Sequence, residues 1–141
     1  MRLNKIYINN YGIYNGQYEY DFSVTEGKNV ILVSGRNGSG KTTLLNTVKL
    51  SIYGPKLFGS STTQNKQYLS YIENNLNAFA RHEGCTDYSV GIDFYMFYEE
   101  SLKQFSITRS WDISSTPLKE STCLSIDGQA VSADEFPTIF D

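Results

Sequence analysis

One histidine, two cysteines, three prolines and one tryptophan are spread over 141 residues. That supply of His and Cys is too small for an ordinary structural zinc site, and Cys85 and Cys123 form no CxxC pair, so both read as reduced thiols. No apolar run approaches the roughly 18 residues of a membrane span. Met1-Arg2-Leu3-Asn4-Lys5 is not followed by a signal-type apolar core, so the expected location is cytoplasmic, with no membrane partner. Positive charge is scarce as well. Twelve Lys and Arg stand against 15 Asp and Glu, for a net charge of −3 and a pI of about 5.1. Bulk charge therefore offers nothing to a nucleic acid or a membrane surface.

What remains is an ordinary globular balance, with 40% hydrophobic and 19% charged residues, which suits one domain or part of one. Eleven Tyr and eight Phe supply much of the apolar surface and favour strands. Leu3, Ile6 and Ile8 mark a first short strand, followed by turns at Tyr11-Gly12 and Asn15-Gly16. Tyr18, Tyr20 and Phe22 alternate with Glu19 and Asp21, a second strand. Val30-Ile31-Leu32-Val33 is a continuous apolar run of the kind found in strands buried on both faces of a parallel sheet.

After Ser34 the composition switches to Gly35-Arg36-Asn37-Gly38-Ser39-Gly40-Lys41. A helix is expected next, with Leu44, Leu45, Val48 and Ile52 on one face and Gly54-Pro55 as its stop. Residues 59–65 read as a surface loop. A second helix is expected over 66–81, ended by His82-Glu83-Gly84. Tyr88 to Tyr98 alternates cleanly as a strand, Glu99-Glu100-Ser101 turns, and Phe105, Ile107, Arg109 and Trp111 return. Thr122 to Ile126 is a further strand, closed by the hairpin turn Asp127-Gly128. The tail from Ala133 to Asp141, with Phe136, Ile139 and Phe140, is apolar and has no closing element. The expectation is that residues 1–141 form the N-terminal lobe of a longer protein.

Gly35, Gly40, Lys41 and Thr42 match G-x-x-x-x-G-K-[ST]. At average residue usage the pattern arises by chance in roughly 0.5% of chains this long. The glycines let the loop curl around an anion, and its successive N–H groups and the following helix N-terminus attract phosphate. Lys41 is the expected charge on the β- and γ-phosphates and hence the catalytic residue. Thr42 is the expected Mg²⁺ ligand through its hydroxyl, and Thr43 a contact to the α-phosphate. The nucleotide-binding set is Gly35, Arg36, Asn37, Gly38, Ser39, Gly40, Lys41, Thr42 and Thr43. Asn65-Lys66-Gln67-Tyr68 lacks the Asp that would pair with guanine, so ATP with Mg²⁺ is expected.

The run from Gly35 to Thr43, with Asn-Gly before the last three motif residues and a double Thr, resembles the ABC-type variant of this loop. Its position near the N-terminus, after Asn10-Tyr11-Gly12, is similar to the SMC/RecF class of DNA-maintenance ATPases. Within that class the chain resembles the DndD family, ATPases of bacterial DNA phosphorothioation. Four stretches carry the likeness: Leu3-Asn4-Lys5-Ile6 with Tyr11-Gly12-Ile13-Tyr14; the loop; Ser51-Ile52-Tyr53-Gly54-Pro55-Lys56; and Ile107-Thr108-Arg109-Ser110-Trp111. The resemblance implies an α/β fold, one lobe of an ABC-type head with a mixed sheet, the loop helix and an antiparallel meander. It also implies partners: a C-terminal lobe, a second head in a homodimer, DNA and DNA-modification proteins. The family's signature motif and Walker B carboxylates find no match here, since no apolar run ends in Asp-Glu and no Ser-Gly-Gly occurs. The isolated chain is therefore expected to bind Mg-ATP and hydrolyse little.

Other readings stay open: another SMC/RecF-like repair or defence ATPase, a non-catalytic scaffold, a transporter ATPase, and, least favoured, a small-molecule kinase. Arg36 can face a partner or solvent. Arg2 and Lys5 can approach a base or DNA, or line a solvated face. Arg109 shares a strand face with Trp111, on which it can stack, and a structural role is expected for it. Asp93 is expected to face outward and Tyr95, Phe97 and Tyr98 to pack in the core. His82 is expected on the surface, and Glu99-Glu100 at a hairpin tip.

Overall fold

Period-two alternation of apolar residues places Ile6, Ile8, Val90, Ile92, Phe94, Phe105, Ile107, Trp111 and Leu124 on one face of a single sheet, all buried. The computed structural model describes residues 1–59, 62–132, 135, 139 and 140. Its strands are β1 (Arg2–Asn9), β2 (Gln17–Asp21), β3 (Asp87–Tyr98), β4 (Ser101–Asp112), β5 (Lys119–Ile126) and β6 (Gln129–Val131). They lie in the order β2-β1-β3-β4-β5-β6. Every described pairing is antiparallel, which corrects the expected mixed sheet. The parallel component had been expected from Val30–Val33, and that run forms no strand. Val30 and Leu32 are 88% and 86% exposed. An apolar run becomes a buried strand only when neighbouring strands offer backbone partners, and none does so here among the described residues.

The helical layer covers the inner face. Helix α1 (Lys41–Tyr53) begins at the glycine loop and is stopped by Gly54, whose N–H bonds Leu50 O. A 3₁₀ turn over Gly54–Phe58 follows. The buried face of α1 is Leu44, Thr47, Leu50 and Ser51. This corrects the expected stripe: Leu45 is 55% exposed, and Val48 and Ile52 are half-buried at the margin. Two hydroxyls reach the sheet side because each satisfies itself locally, Thr47 on Thr43 O and Ser51 on Thr47 O.

The long helix expected over 66–81 is two helices, α2 (Lys66–Asn74) and α3 (Ala78–His82). Asparagines break it. Asn77 caps α3 by accepting from the N–H groups of Phe79 and Ala80, while its amide donates to Gly12 O. Gly12 N–H in turn bonds Asn75 O, so the β1–β2 turn is sewn to the break.

The β3–β4 hairpin is longer than expected because its turn is only Glu99-Glu100, both at positive φ (46° and 64°). Phe97, expected in the core, is 72% exposed, because it lies on the outer sheet face at the hairpin tip. Tyr95 on that face lies under Arg2, while Tyr98, on the inner face, meets the edge of Phe105. Asp93 also points to the outer face but is covered to 9% exposure, with Tyr7 donating to it. Phe140 packs edge-on against Phe94 and Phe105. The expectations for Ser60, Ser61, Ala133, Phe136 and Asp141 lie outside the described residues. No helix among the described residues is long and apolar enough to cross a membrane.

Candidate functional site

The glycine loop meets solvent at the N-terminal end of α1. Gly35 to Ser39 are exposed, as are Lys41 and Thr42, while Gly40 is buried. Gly38 and Gly40 take φ of +81° and +93°, a region that L side chains rarely enter. Such glycine positions let a loop curl as an anion-binding nest does. A turn held by Ser39 N–H on Arg36 O closes the loop, and Leu44 N–H on Gly40 O starts the helix. No acidic side chain occupies the first turn of α1, so its partial positive charge is uncompensated from within the helix.

Lys41 folds back over this loop. Its ammonium donates to Gly35 O and, at 2.9 Å, to Arg36 O. The lysine charge is thereby parked above the loop, on weak neutral acceptors that an anion can replace. A pocket of about 230 Å³ lies beside it, lined by Ile13, Asn37, Gly38, Gly40, Lys41, Thr42 and Thr43. The structure thus brings together most of the residues expected from the sequence. Gly35, Arg36 and Ser39 build the turn but do not line this pocket.

The second wall is the turn after β1, which sequence reasoning did not include in the site. Gly12, at φ +59°, stands so close to Thr43 that a Cβ there would lie 2.8 Å from Thr43 Cγ2. A Cβ on Gly40 would lie 2.8 Å from both Ile13 Cδ1 and Tyr14 Oη. Tyr14 donates to Gly40 O at 3.3 Å. Burial, then the hydrogen bond with Tyr20, holds the Tyr14 phenol above its ordinary value, so the proton it donates stays in place. The signal for this wall was the Tyr11-Gly12 turn; its proximity to the loop was not legible.

The remaining candidates lie elsewhere. Lys5 pairs with Glu19 at 2.5 Å and Arg2 covers Tyr95, both on the sheet face opposite α1. Arg109, expected beside Trp111, instead reaches the C-terminal end of α1. His82 is exposed, Cys85 and Cys123 are free thiols, and no metal-binding cluster occurs among the described residues.

A family model described as an AAA domain matches residues 5–129, a span that includes most of β1, the glycine loop, α1 and the sheet as far as the Asp127-Gly128 turn. No curated protein matches the chain.

Proposed function

This chain belongs to the AAA domain family, of the SMC/RecF-like ATPase class, and from that premise we propose that it is the Mg-ATP-binding lobe of a DNA-maintenance ATPase. The family generally binds ATP with Mg²⁺. The observation that carries the reading to particular residues is the open loop with Lys41 folded over Gly35 O and Arg36 O. A loop with two glycines at positive φ, a helix N-terminus and a movable ammonium suit a polyphosphate and suit few other ligands.

In this reading the N–H groups of Gly38, Gly40 and Lys41 hold phosphate oxygens, and Lys41 leaves the loop carbonyls for the β- and γ-phosphates. Thr42 is exposed at the first turn of α1, where its hydroxyl is free to meet a cation beside the phosphates. Mg²⁺, when bound there, neutralises charge that develops during phosphoryl transfer. Hydrolysis also needs a group that positions the attacking water and a second source of charge stabilisation. No side chain near the pocket offers the first of these among the described residues. The chain accordingly binds but turns over slowly by itself.

A C-terminal lobe is the partner that suits the exposed apolar surface. Val30–Val33 carries strand-forming residues that pair with no strand among the described residues, and Leu45 on the outer face of α1 is exposed beside the half-buried Val48 and Ile52. Both features suit cover by further structure. Within the class we favour a DndD-like role in DNA phosphorothioation, supported by the four sequence stretches named above. Neighbouring genes for a cysteine desulfurase and sulfur carriers would favour it; their absence would favour another repair or defence ATPase. Homodimerisation of heads and contact with DNA belong to the same proposal.

Calorimetric titration with ATP and Mg²⁺ tests the core of this reading. Saturable binding that Lys41→Ala abolishes supports it. Equal binding by both proteins, or vigorous hydrolysis that depends on Lys41 in this chain alone, would overturn it.

A further inference from the structure

We propose that Arg109 is a positioning residue for the phosphate loop, acting from the far end of α1. The proposal rests on the nucleotide reading above and adds a device that controls it.

A helix leaves its last carbonyls without intrahelical partners. In α1 the N–H of Gly54 takes Leu50 O. The next two carbonyls are taken by a side chain from the sheet: Arg109 donates Nε to Ser51 O at 3.0 Å and an NH₂ group to Ile52 O at 3.5 Å. Its positive charge thus sits at the negative end of the helix dipole, opposite the loop. The guanidinium is itself held firmly. It pairs with Glu120 at 2.8 Å and donates to Thr122 at 2.9 Å. The other Glu120 oxygen accepts from Tyr68 of α2, whose hydroxyl accepts from Trp111. Both side chains of the ion pair are nearly buried, at 9% and 6% exposure. Gly54 is shaped to the group, since a Cβ there would stand 2.7 Å from Arg109 Cζ.

A line of hydrogen bonds connects this clamp to the loop. Thr47 donates to Thr43 O, Ser51 donates to Thr47 O, and Arg109 donates to Ser51 O. Thr43 lines the pocket. A helix of this length is a rod of about 20 Å, so its seating at one end sets the loop at the other. Phosphate contacts tolerate little displacement. The clamp therefore fixes where Lys41 and the loop N–H groups stand, and ties that position to β5 and α2.

A merely structural arginine would lower stability and leave the affinity of the folded protein unchanged. The test compares Mg-ADP and Mg-ATP affinities of wild type, Arg109→Lys and the double variant Arg109→Met/Glu120→Met. Titrations run well below each melting temperature, with folding checked by circular dichroism. Removing both ions together avoids a buried unpaired charge. The double variant is expected to bind about tenfold more weakly, within the usual range of coupling between sites, and Arg109→Lys to recover part of the loss. Affinities within twofold of wild type in a folded double variant would overturn the proposal while leaving the nucleotide reading standing. Absence of binding by wild type would overturn both.

Amide exchange on the unaltered chain provides a test independent of the variants. Coupling is reciprocal, so Mg-ADP should slow exchange at Gly54 N–H as well as in the loop. Protection confined to the loop would count decisively against the clamp.

Discussion

Gly54 and Arg109 are fitted to each other: the guanidinium carbon lies only 2.7 Å from where a Cβ on Gly54 would stand, and the glycine holds φ at +49°. Any larger residue meets both a strained backbone and a buried cation held by Ser51, Ile52, Glu120 and Thr122 among its partners. Gly54→Ala is therefore expected to destabilise the fold by about 2–4 kcal/mol, measured by denaturant unfolding. A loss under about 0.5 kcal/mol, as at an unconstrained surface site, would show that the arginine moves aside freely.

The Arg109–Glu120 pair makes a second prediction about stability. Glu120→Ala leaves a buried guanidinium and the Tyr68 hydroxyl short of an acceptor, and should cost about 3–5 kcal/mol. The double replacement by methionine should cost much less, because no unpaired charge remains buried. A double-mutant cycle in urea reads the difference directly.

At the other end of α1, Gly12→Ala would drive a methyl into Thr43 Cγ2 at a positive φ. The expected result is weaker Mg-nucleotide binding, by roughly tenfold for a small displacement of the loop. Thr43→Ser removes the struck methyl and should restore part of the affinity in the double variant. Equal losses with and without Thr43→Ser would place the effect in backbone strain alone.

Stability at low pH follows from three aspartates, Asp21 and Asp127 exposed and Asp112 half-buried. Asp127 is held below its ordinary value of 3.8 by the N–H of Gln104 and then by Lys103; Asp112 and Asp21 are lowered by Ser114 and Ser23. A carboxylate whose native value is depressed contributes fully above its unfolded value and loses that contribution as pH falls through the native one. Melting temperature should therefore drop below about pH 4. Asp127→Asn should lower the plateau and flatten that acid limb. An unchanged limb would exclude Asp127 as a contributor.

The apolar run before the loop gives the last prediction. Val30 and Leu32 are almost fully exposed. Val30→Ser/Leu32→Ser should leave melting within the range of ordinary surface changes, about ±0.5 kcal/mol, and should reduce self-association in sedimentation measurements. A large loss of stability would mean that the run is packed in solution.

Much of this molecule was legible in the order of its residues. The alternation from Tyr88 to Trp111 specified a hairpin because a period of two can bury only one face of a strand. The glycine-lysine-threonine spacing specified a loop followed by a helix, since phosphate-loop chemistry depends on local backbone conformation. What alternation could not say was which apolar faces would find partners. Val30–Val33 has the composition of a buried strand, yet burial needs neighbouring strands that local sequence does not encode. Leu45 and Leu44 look equivalent in a helical pattern, and the sheet chose Leu44. The helix expected over 66–81 was divided by Asn77 because Gly12, distant in sequence, offered its carbonyl.

Sequence by itself determined the loop and the hairpins, because each depends on residues a few positions apart. Tertiary structure alone decided that Ile13 lines the pocket, that Gly12 and Tyr14 pack against Thr43 and Gly40, and that Arg109 holds the far end of α1. Those relationships join residues that are 26 to 58 positions apart in the case of Tyr14–Gly40 and Arg109–Ser51. Such contacts exist only after the sheet has been ordered and the helix has been seated on it.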